Sequence, residues 1–228
     1  MGKNKIARWA ELKTFNNVIQ PETGEQPGKN HPVKGNWRKE IFRNDNPVIL
    51  ELGCGKGEYT IGLSERFPCK NYIGIDIKGA RIWKGAKMAN ERKMDNTAFL
   101  RTRIEFINSF FEEDEIDEIW IPFPDPHPGI SNLNKRLTCP WFLNHYRSLL
   151  KNKGIIHLKT DNSELFIYTK SIAEKNNLKI IRASSDLYKD NPDDDILSIK
   201  THYENSYLKE GIKINYLSFR LEKNRIIA

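Results

Sequence analysis

Val48-Ile49-Leu50-Glu51-Leu52-Gly53-Cys54-Gly55-Lys56-Gly57 is a short apolar run that ends in glycines at three alternate positions. Glu58-Tyr59-Thr60-Ile61-Gly62-Leu63-Ser64-Glu65-Arg66-Phe67 follows, with a pattern compatible with a helix. The order is strand, tight turn, helix, and the glycines let a bound group come close to the backbone. Downstream, Asn71-Tyr72-Ile73-Gly74-Ile75-Asp76 reads as a second strand that ends in an acid. Asp76 lies 21 residues after Gly55, where a doubly wound fold sets a carboxylate against ribose hydroxyls. A glycine loop with an acid at that spacing points to an adenosine-type ligand.

The loop narrows the ligand further. A dinucleotide fingerprint needs G-x-G-x-x-G so that the helix N-terminus faces a pyrophosphate. Here Gly53, Gly55 and Gly57 run G-x-G-x-G, and Glu51 stands just before them. A carboxylate there repels a pyrophosphate but suits a ligand carrying an ammonium and a sulfonium, and S-adenosylmethionine has both. Nicotinamide cofactors fit less well. The loop is not a Walker A sequence either, because Lys56 lacks the G-K-[ST] ending.

Outward from this unit, strands are expected at 47–52, 71–76, 97–101, 116–122 and 153–159, and helices at 57–67, 78–93, 103–110, 135–151 and 162–176. Alternating β and α elements of these lengths predict an α/β fold with a doubly wound, mostly parallel sheet. Residues 178–182 and 212–221 add two late strands, which suit an antiparallel C-terminal end. Residues 1–46 are polar and rich in Asn, Pro and Gly, with a short helix expected near Lys5–Thr14. They are expected to form a flexible basic arm ahead of a single domain over 47–228.

A second stretch carries the chemistry. Residues 120–128 read Trp-Ile-Pro-Phe-Pro-Asp-Pro-His-Pro, directly after a segment that alternates in polarity like a strand. Pro122, Pro124, Pro126 and Pro128 each fix their own φ and restrain the residue before them. The result is a stiff extended loop at the carboxyl end of a strand, where ligands bind in open α/β sheets. It holds one carboxylate, Asp125. A rigid turn with a solvated aspartate is the plainer alternative.

Composition sets the frame. The 228 residues hold 38% apolar side chains and carry a formal net charge of +7. That is enough for one sizeable core. No apolar run approaches the ~20 residues of a membrane span, and the amino terminus lacks a secretory core. Cys54, Cys69 and Cys139 are odd in number and lack metal-ligand spacing, so reduced thiols in a cytoplasmic protein without a bound metal are expected. The charge is uneven. Residues 1–43 hold nine Lys or Arg against four Glu, and between Pro126 and Thr160 stand six basic residues and no acid. Acidic runs at 112–115 and 193–195 read as solvated loops. Positive charge after the Asp125 loop is the footprint of a nucleic-acid partner, with a generally lysine-rich composition as the plainer alternative.

Asp161, in His157-Leu158-Lys159-Thr160-Asp161-Asn162, ends the fifth strand on the edge that also carries Glu51, Asp76 and Asp125. A helix cap is its alternative role. Thr201-His202-Tyr203-Glu204 has the form of a capping box, which alone would explain it. Of the five histidines only His127 is placed to touch a substrate. Trp83, Trp120 and Trp141 are expected in the core.

Glu-Leu-Gly-Cys-Gly-Lys-Gly, Tyr-Ile-Gly-Ile-Asp, Phe-Pro-Asp-Pro, Lys-Arg-Leu at 135–137, Leu-Lys-Thr-Asp at 158–161 and Thr-His-Tyr-Glu at 201–204 together resemble the bacterial tRNA (guanine-N7)-methyltransferase family. The resemblance covers roughly residues 40–221. It implies a class I, Rossmann-like methyltransferase sheet, S-adenosylmethionine as methyl donor and a guanine of the tRNA variable loop as acceptor. It assigns cofactor contacts to Glu51, Asp76 and the pair Arg103 and Ile104. Arg103 departs from the family's acid or amide, so only the backbone amides are expected to serve there. For a guanine acceptor, Asp125 is the first choice as the catalytic carboxylate facing N1–H and the exocyclic amine, with Asp161, Thr201, Glu204, Lys135 and Arg136 as substrate contacts. His127 and Gly129 stand where the family carries Trp and Lys. Three other functions stay open at this level: a methyltransferase on another RNA or a small molecule, a nicotinamide-dependent oxidoreductase, and a basic RNA-binding module without catalysis.

Overall fold

The computed structural model describes residues 3–21, 29–190, 194 and 197–228, without the side chains of 3–5 and 202. It divides into two compact units, Met1–Glu112 and Glu113–Ala228.

The first unit runs through helix α1 (Lys3–Leu12), strand β1 (Val18–Ile19), a π-helical turn (Trp37–Phe42), β2 (Val48–Leu52), α2 (Glu58–Arg66), β3 (Asn71–Asp76), α3 (Gly79–Glu91), β4 (Thr97–Arg101) and a 3-10 helix (Ile104–Ser109). Its strands lie in the order β1-β4-β3-β2, all parallel. Every residue of β2 and β3 is buried, as expected of parallel strands covered on both faces. Helix α3 turns Gly79, Ile82, Gly85, Ala86 and Ala89 inward, the spacing of one helical face. The small residues have a cause in Phe99 of β4. A Cβ on Gly85 would stand 2.7 Å from the Lys56 carbonyl oxygen and 2.8 Å from the Phe99 ring. At Gly57, where φ is +73°, it would stand 2.7 Å from the same ring. Phe99 thus wedges the glycine loop against α3, and only glycine fits on both sides of it.

The second unit holds β5 (Ile116–Pro122), a 3-10 helix (Ile130–Lys135), α4 (Pro140–Leu149), β6 (Leu150–Thr160), α5 (Ser163–Lys175), β7 (Ile180–Ser184), α6 (Leu187–Asp190), α7 (His202–Lys209) and β8 (Asn215–Arg220). β5 pairs parallel with β6, while β8 pairs antiparallel with both β6 and β7. The chain is therefore an α/β protein, mostly parallel, with an antiparallel C-terminal end. The helix expected at 135–151 starts only at Pro140, which occupies its first turn and suits a helix start. It stops at Leu149, where extended backbone opens β6.

Residues 1–46 correct the expectation of a free arm over their described part. Leu12, Val33, Trp37 and Phe42 are buried. The indole nitrogen of Trp37 donates to the Phe110 carbonyl at 2.8 Å, and its ring stacks on Phe111. Strand β1 pairs with β4. Polar composition hid four apolar anchors, each too isolated to make a periodic pattern. Residues 22–28 of that stretch lie outside the described ones, as do 193 and 195 of the acidic run 193–195.

Candidate active site

In the first unit the three loop glycines have φ of +74°, +56° and +73° at Gly53, Gly55 and Gly57, a region open to glycine at no steric cost. The Gly53 and Cys54 amides both donate to the Ile75 carbonyl of β3, which folds the loop back over the neighbouring strand. A Cβ built on Gly53 would meet nothing within 4 Å, and one on Gly55 only the Gly53 carbonyl at 4.0 Å. The space above these two residues is open.

Two carboxylates border it. Asp76, at the end of β3, accepts the Gly55 amide on Oδ2 at 2.9 Å and the Lys78 amide on Oδ1 at 2.7 Å. It organises the loop and keeps further lone pairs on both oxygens. Glu51 is buried, and its Oε2 accepts both the amide of Thr60, at 2.7 Å, and the Thr60 hydroxyl. Burial outweighs these bonds and pushes the Glu51 carboxyl up to about 8, with the charges of Asp76 and Glu58 adding to the rise. A buried acid beside an open glycine cradle is a poor host for a phosphate and a good one for a cation. Arg103 turns its side chain away onto Glu105, 2.9 Å distant. Ile104 opens the 3-10 helix.

In the second unit, Pro122 is the last residue of β5 and pairs with Lys159 of β6. The Phe123 amide donates to the Lys159 carbonyl at 2.7 Å. The loop then leaves the sheet, with positive φ at Phe123, His127 and Gly129. Asp125 is exposed, and its carboxylate has no polar partner among the described residues. Asp161 follows the end of β6, also without a polar partner among them. The capping role is taken by its neighbour: Asn162 Oδ1 accepts the Leu165 amide at 2.8 Å. Capping therefore does not account for Asp161. Lys135 is exposed and donates to Asn132 Oδ1 at 3.0 Å.

Three of the residues expected as substrate contacts already have partners within the protein. Thr201 and Glu204 form the capping box of α7, with the Glu204 amide 3.2 Å from Thr201 Oγ1 and the Thr201 amide 3.3 Å from Glu204 Oε2. Glu204 is 0% exposed, and its Oε1 stands 2.7 Å from the Lys159 ammonium and 2.5 Å from the Tyr188 hydroxyl. Such a carboxylate is held inside the second unit by the Lys159 ammonium, the Tyr188 hydroxyl and the Thr201 amide. Arg136 is 1% exposed as well. Its Nε donates to the Pro126 carbonyl at 3.0 Å and the His127 carbonyl at 3.3 Å, and Nη2 reaches Glu164 at 2.5 Å.

These contacts also thin the positive field that follows the loop in sequence. Of its six cations, Arg136 and Lys159 are buried, and Lys151 pairs with Asp117. Arg147 donates to Asn144 Oδ1 and the Lys223 carbonyl. Lys135 and Lys153 remain exposed. Trp141, expected in the core, is 47% exposed, while Trp120 is buried as expected. Lys159 and Tyr188 had no assigned role in the sequence. The one signal was the charge of Lys159 in the otherwise apolar run Gly154-Ile155-Ile156-His157-Leu158, since a lysine inside a sheet demands a buried partner.

Comparison with known proteins agrees with these features. The family model described as "Putative methyltransferase" matches residues 45–217. A tRNA (guanine-N(7)-)-methyltransferase of Bacteroides fragilis is 47% identical, over 97% of this chain and 87% of its own length. One from Porphyromonas gingivalis is 48% identical, over 92% of this chain and 86% of its own. A solved antibiotic-related methyltransferase shares the fold at 18% identity, with a TM-score of 0.62 over 84% of this chain and 96% of its own. Fold, glycine cradle and strand-end acids thus define a methyltransferase. Within that class, the chain belongs to the tRNA (guanine-N(7)-)-methyltransferase family.

Proposed function

We propose that this protein methylates N7 of a guanine in the tRNA variable loop, with Asp125 receiving the base. S-adenosylmethionine is the methyl donor: the methyl carbon bonds to the N7 lone pair as the carbon–sulfur bond breaks, its electron pair stays on sulfur, and the positive charge passes to the ring. N7 has its lone pair in the plane of the base, so no proton has to be removed first. This fits a site whose acids pair with no histidine among the described residues.

The residues then act by holding and by charge. The Asp76 oxygens keep lone pairs for ribose hydroxyls after accepting the Gly55 and Lys78 amides. Glu51 offers Oε1 to the donor's cationic end, because Thr60 occupies Oε2. The main-chain amides at Arg103 and Ile104 are assigned to the cofactor as well. Asp125 accepts from guanine N1–H and the exocyclic amine, which selects guanine over adenine and offsets the charge growing on the ring. Asp161 is the second acid available to the base, and Lys135 the exposed cation for a phosphate. Orientation of a near-attack geometry is worth on the order of 7–11 kcal/mol in such reactions. A tRNA substrate and three free cysteines suit a cytoplasmic enzyme, and no helix among the described residues is long and apolar enough to cross a membrane.

The observation that carries this reading is Asp125 itself: an exposed carboxylate without a polar partner among the described residues, on a loop in which every second residue is proline. The test is methyl transfer onto unmodified tRNA transcripts, followed by chemical cleavage at 7-methylguanine. One cleavage site, at a variable-loop guanine, is expected. Cleavage elsewhere, or methylation that leaves no cleavable base, overturns it.

A further inference from the structure

The four prolines that stiffen the Asp125 loop also remove its donors. Residues 122, 124, 126 and 128 have no N–H, so the loop cannot be tied down by a ladder of its own amides. Its carbonyls must find donors elsewhere. At the start of the loop the tie is the Phe123 amide on the Lys159 carbonyl of β6. Immediately after Asp125 the tie is a single side chain. The Arg136 guanidinium donates through Nε to the carbonyls of Pro126 and His127, at 3.0 and 3.3 Å. Its other edge reaches Glu164 in the first turn of α5, the helix that follows Asp161. Its plane lies 4.6 Å from the Tyr168 ring centre, one turn further along the same helix.

We infer that Arg136 is a positioning residue that fixes the Asp125 loop to the start of α5, and so sets the distance between Asp125 and Asp161. This rests on the reading of Asp125 as the guanine contact. The guanidinium is suited to it because one planar fork can serve two acceptors on one edge and a carboxylate on another while stacking on a ring. An ammonium is a point donor and cannot span them. The neighbouring Lys135 is exposed, so adjacent cations divide the work: Arg136 holds the loop from inside and Lys135 faces solvent.

The full-length enzyme tests this with Arg136→Lys, Arg136→Gln, Glu164→Gln, Lys135→Ala and Asp125→Asn. Turnover at saturating tRNA, KM for tRNA, its salt dependence and S-adenosylmethionine affinity are measured for each. A misplacement of about 1 Å can cost ~10²-fold in rate. Arg136→Lys should therefore lose roughly 10- to 100-fold in turnover, with cofactor affinity and the salt slope of tRNA binding unchanged. Glu164→Gln keeps the guanidinium but loosens its anchor, so a smaller loss in turnover is expected. It carries the test if Arg136→Lys fails to fold. Lys135→Ala should instead lower the salt slope by about one. Parent-like turnover in Arg136→Lys, beside an impaired Asp125→Asn, overturns the positioning role. So does a salt slope lowered by about one in Arg136→Gln, which removes the charge and would mark a phosphate contact. Full turnover in Asp125→Asn refutes the reading of the acid instead, so the two failures are distinguishable.

Discussion

Replacing Lys159 by methionine should damage this protein far more than most single changes. The ammonium sits at a strand position that is 0% exposed, 2.7 Å from a carboxylate that is also 0% exposed. It further donates to the carbonyls of Leu197 and Ile199, at 2.8 and 3.1 Å. Methionine fills much the same volume but leaves the Glu204 charge, among the described residues, with the Tyr188 hydroxyl and the Thr201 amide. Removing one partner of a buried ion pair costs about 3–5 kcal/mol, because the remaining charge stays desolvated. At roughly 2–4 °C per kcal/mol for a chain of this length, the melting temperature should fall by about 6–20 °C. Glu204→Gln should cost less, since Lys159 keeps both carbonyls. Burial already lowers the Lys159 pKa, which eases loss of its charge. Urea unfolding of the parent, both single variants and the double variant reads these differences as a cycle. A Lys159→Met protein within about 1 kcal/mol of the parent, with an unchanged m value, would refute the reasoning.

Glu51 makes stability pH-dependent. Its folded pKa of about 8 lies above its ordinary value, so its contribution is complete below the usual carboxylate range and is lost as pH rises from about 4.5 to 8. The slope attributable to it is up to ~1.4 kcal/mol per unit, and Glu51→Gln should remove it; an identical pH profile in urea unfolding speaks against it. Asp76→Ala should weaken S-adenosylmethionine binding by ~1.5–3 kcal/mol if the lost hydrogen bonds are charge-assisted; calorimetry showing unchanged affinity counts against Asp76 as a ribose contact. Trp37→Ala should destabilise by about 3–5 kcal/mol, measured by thermal unfolding, whereas a truly free arm would leave the melting temperature unchanged.

The cofactor half of the site was legible because it depends on local rules. A strand, alternate glycines and an acid 21 residues on are all within one stretch of chain, and each limits backbone geometry directly. The proline loop was legible for the same reason. What stayed hidden depends on partners far apart in sequence. Lys159 and Glu204 meet across 45 positions, so no local pattern announced the pair. The burial of Arg136 was hidden on the same ground, because the carbonyls and the Glu164 carboxylate that hold it lie about 10 and 28 positions away. Trp37, Leu12 and Val33 are isolated apolar residues in polar surroundings. No periodicity announces them, so an apparent arm turned out to pack into the first unit.

Turnover of Asp125→Asn on unmodified tRNA, set beside the parent enzyme, bears most directly on the central claim. The loop's proline frame and its Arg136 and Lys159 ties do not involve the Asp125 side chain, so the variant should fold and bind S-adenosylmethionine normally. Loss of one preorganised electrostatic contact should lower turnover by roughly 10²–10³, while KM for tRNA moves much less because phosphate contacts supply most of the affinity. Parent-like turnover would contradict the account and leave Asp161 as the acid that receives the base.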